Sequence, residues 1–135
     1  GLRLLNSIAM NTDKFSWRKR ARSFIYAWSG VRMLVCGEHN ARLHIVAAVA
    51  AVSLGFLLDI DRGEWLAVII CIGAVFMAEG FNSAVEAVCD LVSPEHHPLV
   101  KRAKDIAAGA VLLMAVAALA CGCIIFLPRL IALFS

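Results

Sequence analysis

Residues 65–90 read WLAVIICIGAVFMAEGFNSAVEAVCD. The first fourteen of them, 65–78, carry no charge. Glu79, Asn82, Glu86 and Asp90 then follow with no proline or turn cluster between them, so one helix carries both halves. At 100° per residue the four polar side chains fall within an arc of roughly 80°, a single stripe over three turns. With Trp65 at one membrane boundary, a rise of 1.5 Å per residue sets Glu79 about 21 Å further in. A charge near mid-membrane costs roughly 2.5–3.5 kcal/mol, and such residues mark sites or pathways. A helix end that simply leaves the bilayer accounts for Asp90 and partly for Glu86. It does not account for Glu79.

The rest of the chain supplies the same solvent argument. Of 135 residues, 61% are hydrophobic, against about 45–50% in soluble domains. Mean hydropathy is +0.82. The excess apolar surface must face lipid or other subunits. Residues 43–58 form one apolar run, which residues 40–42 extend toward spanning length. Residues 106–127 form another, 22 residues without a charge, closed by Pro128 and Arg129. SPEHHP (93–98) breaks the quoted helix from the last one, with a proline near each end. These patterns predict an all-α membrane protein with transmembrane helices at about 40–58, 65–92 and 103–127. They form a single domain over 14–135 behind a disordered tail, 1–13, in which Met10 is a plausible true start.

Between Phe15 and Val35 the residues Trp17, Ala21, Phe24, Trp28 and Val31 recur at helical spacing, while Arg18, Lys19, Arg20 and Arg22 lie largely off that stripe. This is the pattern of an amphipathic helix, about 14–36, lying in the headgroup plane. The net charge of +3 is spread as basic clusters at the start and at Lys101, Arg102 and Lys104, with an acidic 59–64 turn. By the positive-inside rule the N-terminus and the 93–105 loop are cytoplasmic and the C-terminus is outside. The distribution argues against nucleic-acid binding. The five cysteines form no C-x-x-C pair and read as small packing residues.

Further polar groups gather at the cytoplasmic face. GEHNARLH brings Glu38, Asn40, Arg42 and His44 to the entrance of the first span, where Glu38 and Arg42 at i,i+4 are spaced to pair. KRAKD brings Lys104 and Asp105 to the entrance of the third. Magnesium takes oxygen ligands, often one or two carboxylates plus substrate phosphates. Phosphoryl transfer needs a cation near the phosphates and a group that positions the acceptor hydroxyl. Glu38 and Glu86 suit the metal, Lys104 a phosphate, and the deeper Glu79 a general base. No P-loop and no protein-kinase glycine loop is present. On these residues alone, a proton or cation pathway fits nearly as well. Histidines 44, 96 and 97 read as solvated or hydrogen-bonded rather than as metal ligands.

The stretch AEGFNSAVEAVCDLVSPEHHPLVKRAKDIAAGAV (78–111), with SFIYAWSGVRMLVCGEHNARLHI upstream, resembles the prokaryotic diacylglycerol and undecaprenol kinase family of small membrane lipid kinases. The resemblance covers most of residues 15–128. It implies a surface helix plus three transmembrane helices, a homotrimer with active sites shared between subunits, and magnesium-dependent transfer of the γ-phosphate of ATP to a lipid alcohol. It implies Glu79 as base beside Asn82, metal binding by Glu38 and Glu86, and nucleotide contacts from Lys19, Tyr26, Glu38, Glu86, Glu95, His96, His97, Lys104 and Asp105. It places the protein in the bacterial cytoplasmic membrane with its active site toward the cytoplasm. HNARLH after Glu38, and VSPEHHPL, look like the undecaprenol branch; the alternative acceptor is diacylglycerol.

Overall fold

The computed structural model of the chain describes residues 1–9 and 15–135; Met10 and Lys14 lie outside the described residues. The elements are α1 (Leu2–Ala9), α2 (Trp17–Gly37), α3 (His39–Leu57), α4 (Arg62–Val92) and α5 (Pro98–Phe134). Among the described residues there is no strand. Helices α3, α4 and α5 are each long and apolar enough to cross a membrane. Leu2–Ala9 is a short helix of eight residues. The contacts divide the chain into two units, Gly1–Met33 and Leu34–Ser135.

In the first unit, Ser16 opens α2: its hydroxyl accepts from the Lys19 amide at 3.5 Å. Phe15 meets Trp17 edge to face at 5.0 Å, and the Arg20 guanidinium lies 5.2 Å from the Phe15 ring centre. No residue of α2 is buried.

In the second unit, α4 is the central helix. It packs most extensively against α5 and next against α3, while α3 and α5 touch little. The buried positions of α4 are Val68, Val75, Glu79, Asn82 and Cys89. Their steps of seven, four, three and seven residues define one inward stripe of the kind seen in packed bundles. The stripe is apolar at its start and turns polar at Glu79. The opposite faces carry Leu66, Ile69, Ile70, Leu112, Leu113 and Val116, all exposed, as a helix bundle in lipid requires.

The α3–α4 turn is closely specified. Ile60 N donates to Gly55 O (3.1 Å) and Asp59 N to Phe56 O (3.4 Å), a Schellman pair around Asp59 at φ 51°. Aspartate tolerates this left-handed position, and glycine occupies it without strain. Asp59→Gly is therefore expected to raise the melting temperature in detergent, by a gain of about 0.5–1 kcal/mol. Asp61 then caps α4: its side chain accepts from Glu64 N at 2.9 Å, while Glu64 Oε1 accepts from Asp61 N at 3.3 Å. This box starts the helix three residues before Trp65, where the apolar run alone would place it.

Gly55 lets α3 and α4 approach. A Cβ there would lie 2.7 Å from Trp65 Cη2 and 3.1 Å from Ile60 Cδ1. Gly55→Val should cost about 1–3 kcal/mol through overpacking, read as a lower unfolding midpoint in micelles. Beside it Ile60, Val68, Ile125 and Phe126 form the apolar core, with Leu54, Leu58 and Trp65 packed around them.

Helix α5 runs beyond both expected ends. Pro98 occupies the first turn, where its missing N–H breaks no bond, and His97 caps it by accepting from Leu99 N at 3.1 Å. Pro128 lies inside the helix and does not close it. Apolar helices in bundles accommodate proline because neighbours satisfy the freed backbone. Arg129, one residue on, reaches across the bundle. It forms a two-pronged contact with Glu64, with Nε donating to Oε2 at 3.2 Å, and its Nη1 lies 3.4 Å from the carbonyls of Leu58 and Asp59.

Candidate functional site

The inward stripe of α4 carries Glu79 and Asn82 into the bundle, where they are 1% and 6% exposed. Glu79 is thus turned away from lipid within a single chain. From α3, His44 meets it: Nε2 lies 3.4 Å from Glu79 Oε2. The His44 ring is braced by Phe76, edge on, at 6.1 Å between centres. Three buried polar atoms cluster here without a hydrogen bond among the described residues: Glu79 Oε2, Asn82 Oδ1 and Ser83 Oγ. Buried polar atoms are normally paired, so these three atoms on one turn leave hydrogen-bonding capacity that a polar group from outside the chain can take up.

Asn82 has a second task. Its Nδ2 donates to Glu86 Oε1 at 3.4 Å, one turn further along, so the buried Asn82 is tied to the exposed carboxylate. Beyond Glu86, Asp90 Oδ1 accepts from Lys104 Nζ at 2.6 Å, tying α4 to the start of α5. The stripe read from the sequence therefore runs from a buried acid to a solvent-facing ion pair.

The other expected site residues are placed as follows. Glu38 is half-buried at the N-cap of α3, with φ −92° and ψ 127°, and makes no side-chain cap bond. That break sets Glu38 outside the helix, and the i,i+4 pair with Arg42 is not formed among the described residues. Asp105 pairs with Lys101 at 2.5 Å, both exposed. Glu95 and His96 are exposed in the 93–97 loop, where the Glu95 carbonyl accepts from Ser93 Oγ at 3.0 Å. His97 is engaged as the α5 cap. Tyr26 and Lys19 belong to the first unit; Tyr26 is exposed, and the Lys19 carbonyl accepts from Ser23 Oγ at 3.0 Å.

The donor set bears on a metal. Among the described residues no three His, Cys, Asp or Glu side chains close into a cage. Glu86 offers an exposed hard-oxygen carboxylate, and Glu38 a half-buried one. This fits magnesium, which keeps waters and takes one or two carboxylates together with phosphate oxygens.

Sequence reasoning left out His44, Ser83 and the Asp90–Lys104 pair as parts of the site. Ser83 carries a local signal, since it lies four residues after Glu79 on the same helix. His44 carries none, because its contact depends on how α3 registers against α4.

The sequence pattern of prokaryotic diacylglycerol kinase matches residues 25–126, which include every expected site residue except Lys19. The chain belongs to this family. The undecaprenol kinase of Bacillus subtilis (strain 168) is 41% identical over 109 residues, 81% of this chain and 89% of that one. The diacylglycerol kinase of Escherichia coli (strain K12) is 35% identical over 118 residues, 87% and 95% of the two chains. The diacylglycerol kinase of Synechocystis sp. is 39% identical over 112 residues, 82% of this chain and 64% of that one.

Proposed function

We propose that this membrane lipid kinase passes the γ-phosphate of ATP to the primary hydroxyl of undecaprenol at the cytoplasmic face of the bacterial inner membrane. The observation that carries the reading is the buried Oε2 of Glu79, beside His44 and without a hydrogen bond among the described residues, at the inner end of a membrane-length bundle. The Bacillus relative supports the acceptor, as does the Asn40 and His44 pattern after Glu38. The Escherichia and Synechocystis relatives support diacylglycerol as the alternative.

In this reading Glu79 accepts the proton of the acceptor hydroxyl as that oxygen attacks the terminal phosphorus, whose bond to the β,γ-bridging oxygen breaks to release ADP. Asn82 holds Glu79's neighbourhood in register with Glu86. Magnesium would be held by Glu86 with Glu38, neutralising phosphate charge when the nucleotide is bound. Lys104 supplies a point charge for phosphate, exchanging Asp90 for the incoming anion. Lys19, Tyr26, Glu95, His96, His97 and Asp105 complete nucleotide recognition. The basic α2 lies in the headgroup plane. The exposed apolar faces of the bundle assemble the homotrimer, in which neighbouring subunits share sites.

A proton or cation pathway is disfavoured by the same helix. Outward of Glu79 the inward face of α4 continues as Val75, Ile72 and Val68, which offer no polar relay. The deciding experiment presents undecaprenol and diacylglycerol together to the purified protein with labelled ATP and magnesium. Undecaprenyl phosphate should dominate the product. A predominance of phosphatidic acid would transfer the assignment to diacylglycerol, and no transfer to either would remove the proposed reaction.

A further inference from the structure

An apolar cavity of about 410 Å³ lies among α3, α4 and α5. Along α3 it extends from His44 to Leu54, about 15 Å at 1.5 Å per residue. Small side chains hollow it out, notably Ala51 on α3 and Ala118 on α5. Water needs two to four polar partners, which these walls do not supply. The fitting occupant is thin, apolar and elongated.

The inner end identifies what the occupant carries. His44 lines the cavity, and its Nε2 is 3.4 Å from the buried Oε2 of Glu79, which accepts no hydrogen bond among the described residues. A molecule filling the slot brings whatever heads its chain to that carboxylate. We infer that the cavity receives the hydrocarbon chain of the acceptor lipid, with His44 marking where chain gives way to hydroxyl. This rests on the reading of Glu79 as the group that meets the acceptor hydroxyl. Walls of alanine suit a slender unbranched or isoprenoid chain, and the core residues Ile125 and Val68 close the far end.

The test uses the full chain in lipid vesicles without ATP, and a long-chain primary alcohol bearing a mid-chain diazirine. After illumination, peptide mass spectrometry locates the label. Label is expected on the cavity wall at Ala51, Cys71 and Ala118, and should be competed away by undecaprenol. Label confined to the outward residues Ile69, Ile70, Leu113 and Val116 would overturn the inference. A second arm fills the slot: Ala118→Phe should raise the acceptor KM roughly tenfold while leaving the KM for ATP unchanged. Ala117→Phe, on the exposed side of the same helix, should leave both unchanged. Equal acceptor KM in the two variants would count against the slot. If Ala118→Phe does not fold, the labelling pattern of the unaltered protein decides. Labelling of Glu79→Gln separates the two readings. Cavity label with full activity in that variant rejects the role of Glu79 alone, and outward label with lost activity rejects the cavity alone.

Discussion

Glu79→Gln is expected to lower kcat by roughly 10²–10⁴, the range over which a positioned general base acts. Glutamine keeps the shape of the side chain and removes only its capacity to take a proton. Its amide still lies beside His44, so the packing of α3 on α4 is preserved. The fold should hold, with a melting temperature equal to or above that of the parent, because a buried and incompletely paired carboxylate no longer has to be accommodated. Nucleotide binding, measured by equilibrium titration, should be unchanged. Phosphate transfer from labelled ATP is the readout, and retention of full transfer would dismiss Glu79 as the base.

Glu86→Gln tests the solvent-facing end of the stripe. Glu86 is exposed, and glutamine can still accept from Asn82, so neither folding nor the inner site is disturbed. Loss of its charge should lower kcat/KM for ATP roughly 10²-fold and move half-saturation by magnesium to higher concentration. Wild-type magnesium dependence in this variant would remove Glu86 from the metal. The two substitutions are distinguishable by design: Glu79→Gln should spare magnesium dependence, and Glu86→Gln should shift it.

The polar stripe was legible because a helix repeats on itself. Fourteen uncharged residues before Glu79 fixed its depth, and steps of three and four fixed its common face with Asn82 and Glu86. The direction of that face follows from the bundle, where the stripe continues Val68 and Val75 into the interior. His44 could not be read, since spacing within α3 says nothing of its height against α4. Pro128 misled for a related reason. The breaker rule describes helices in water, while here the helix has neighbours and lipid to carry it onward to Phe134. Arg129 read only as the close of the apolar run because its partners, Glu64 and the carbonyls of Leu58 and Asp59, are some seventy positions away in the chain.

That arginine has a mechanical consequence. It staples α5 to the α3–α4 turn at the end of the bundle remote from Glu79. Glu64, under the staple, is fifteen residues from Glu79, a lever of about 22 Å. A tilt of about 5° about such a pivot swings the inner tip by about 2 Å. Any rocking about that tie is therefore greatest at the polar end of the bundle, where Glu79 and Asn82 stand.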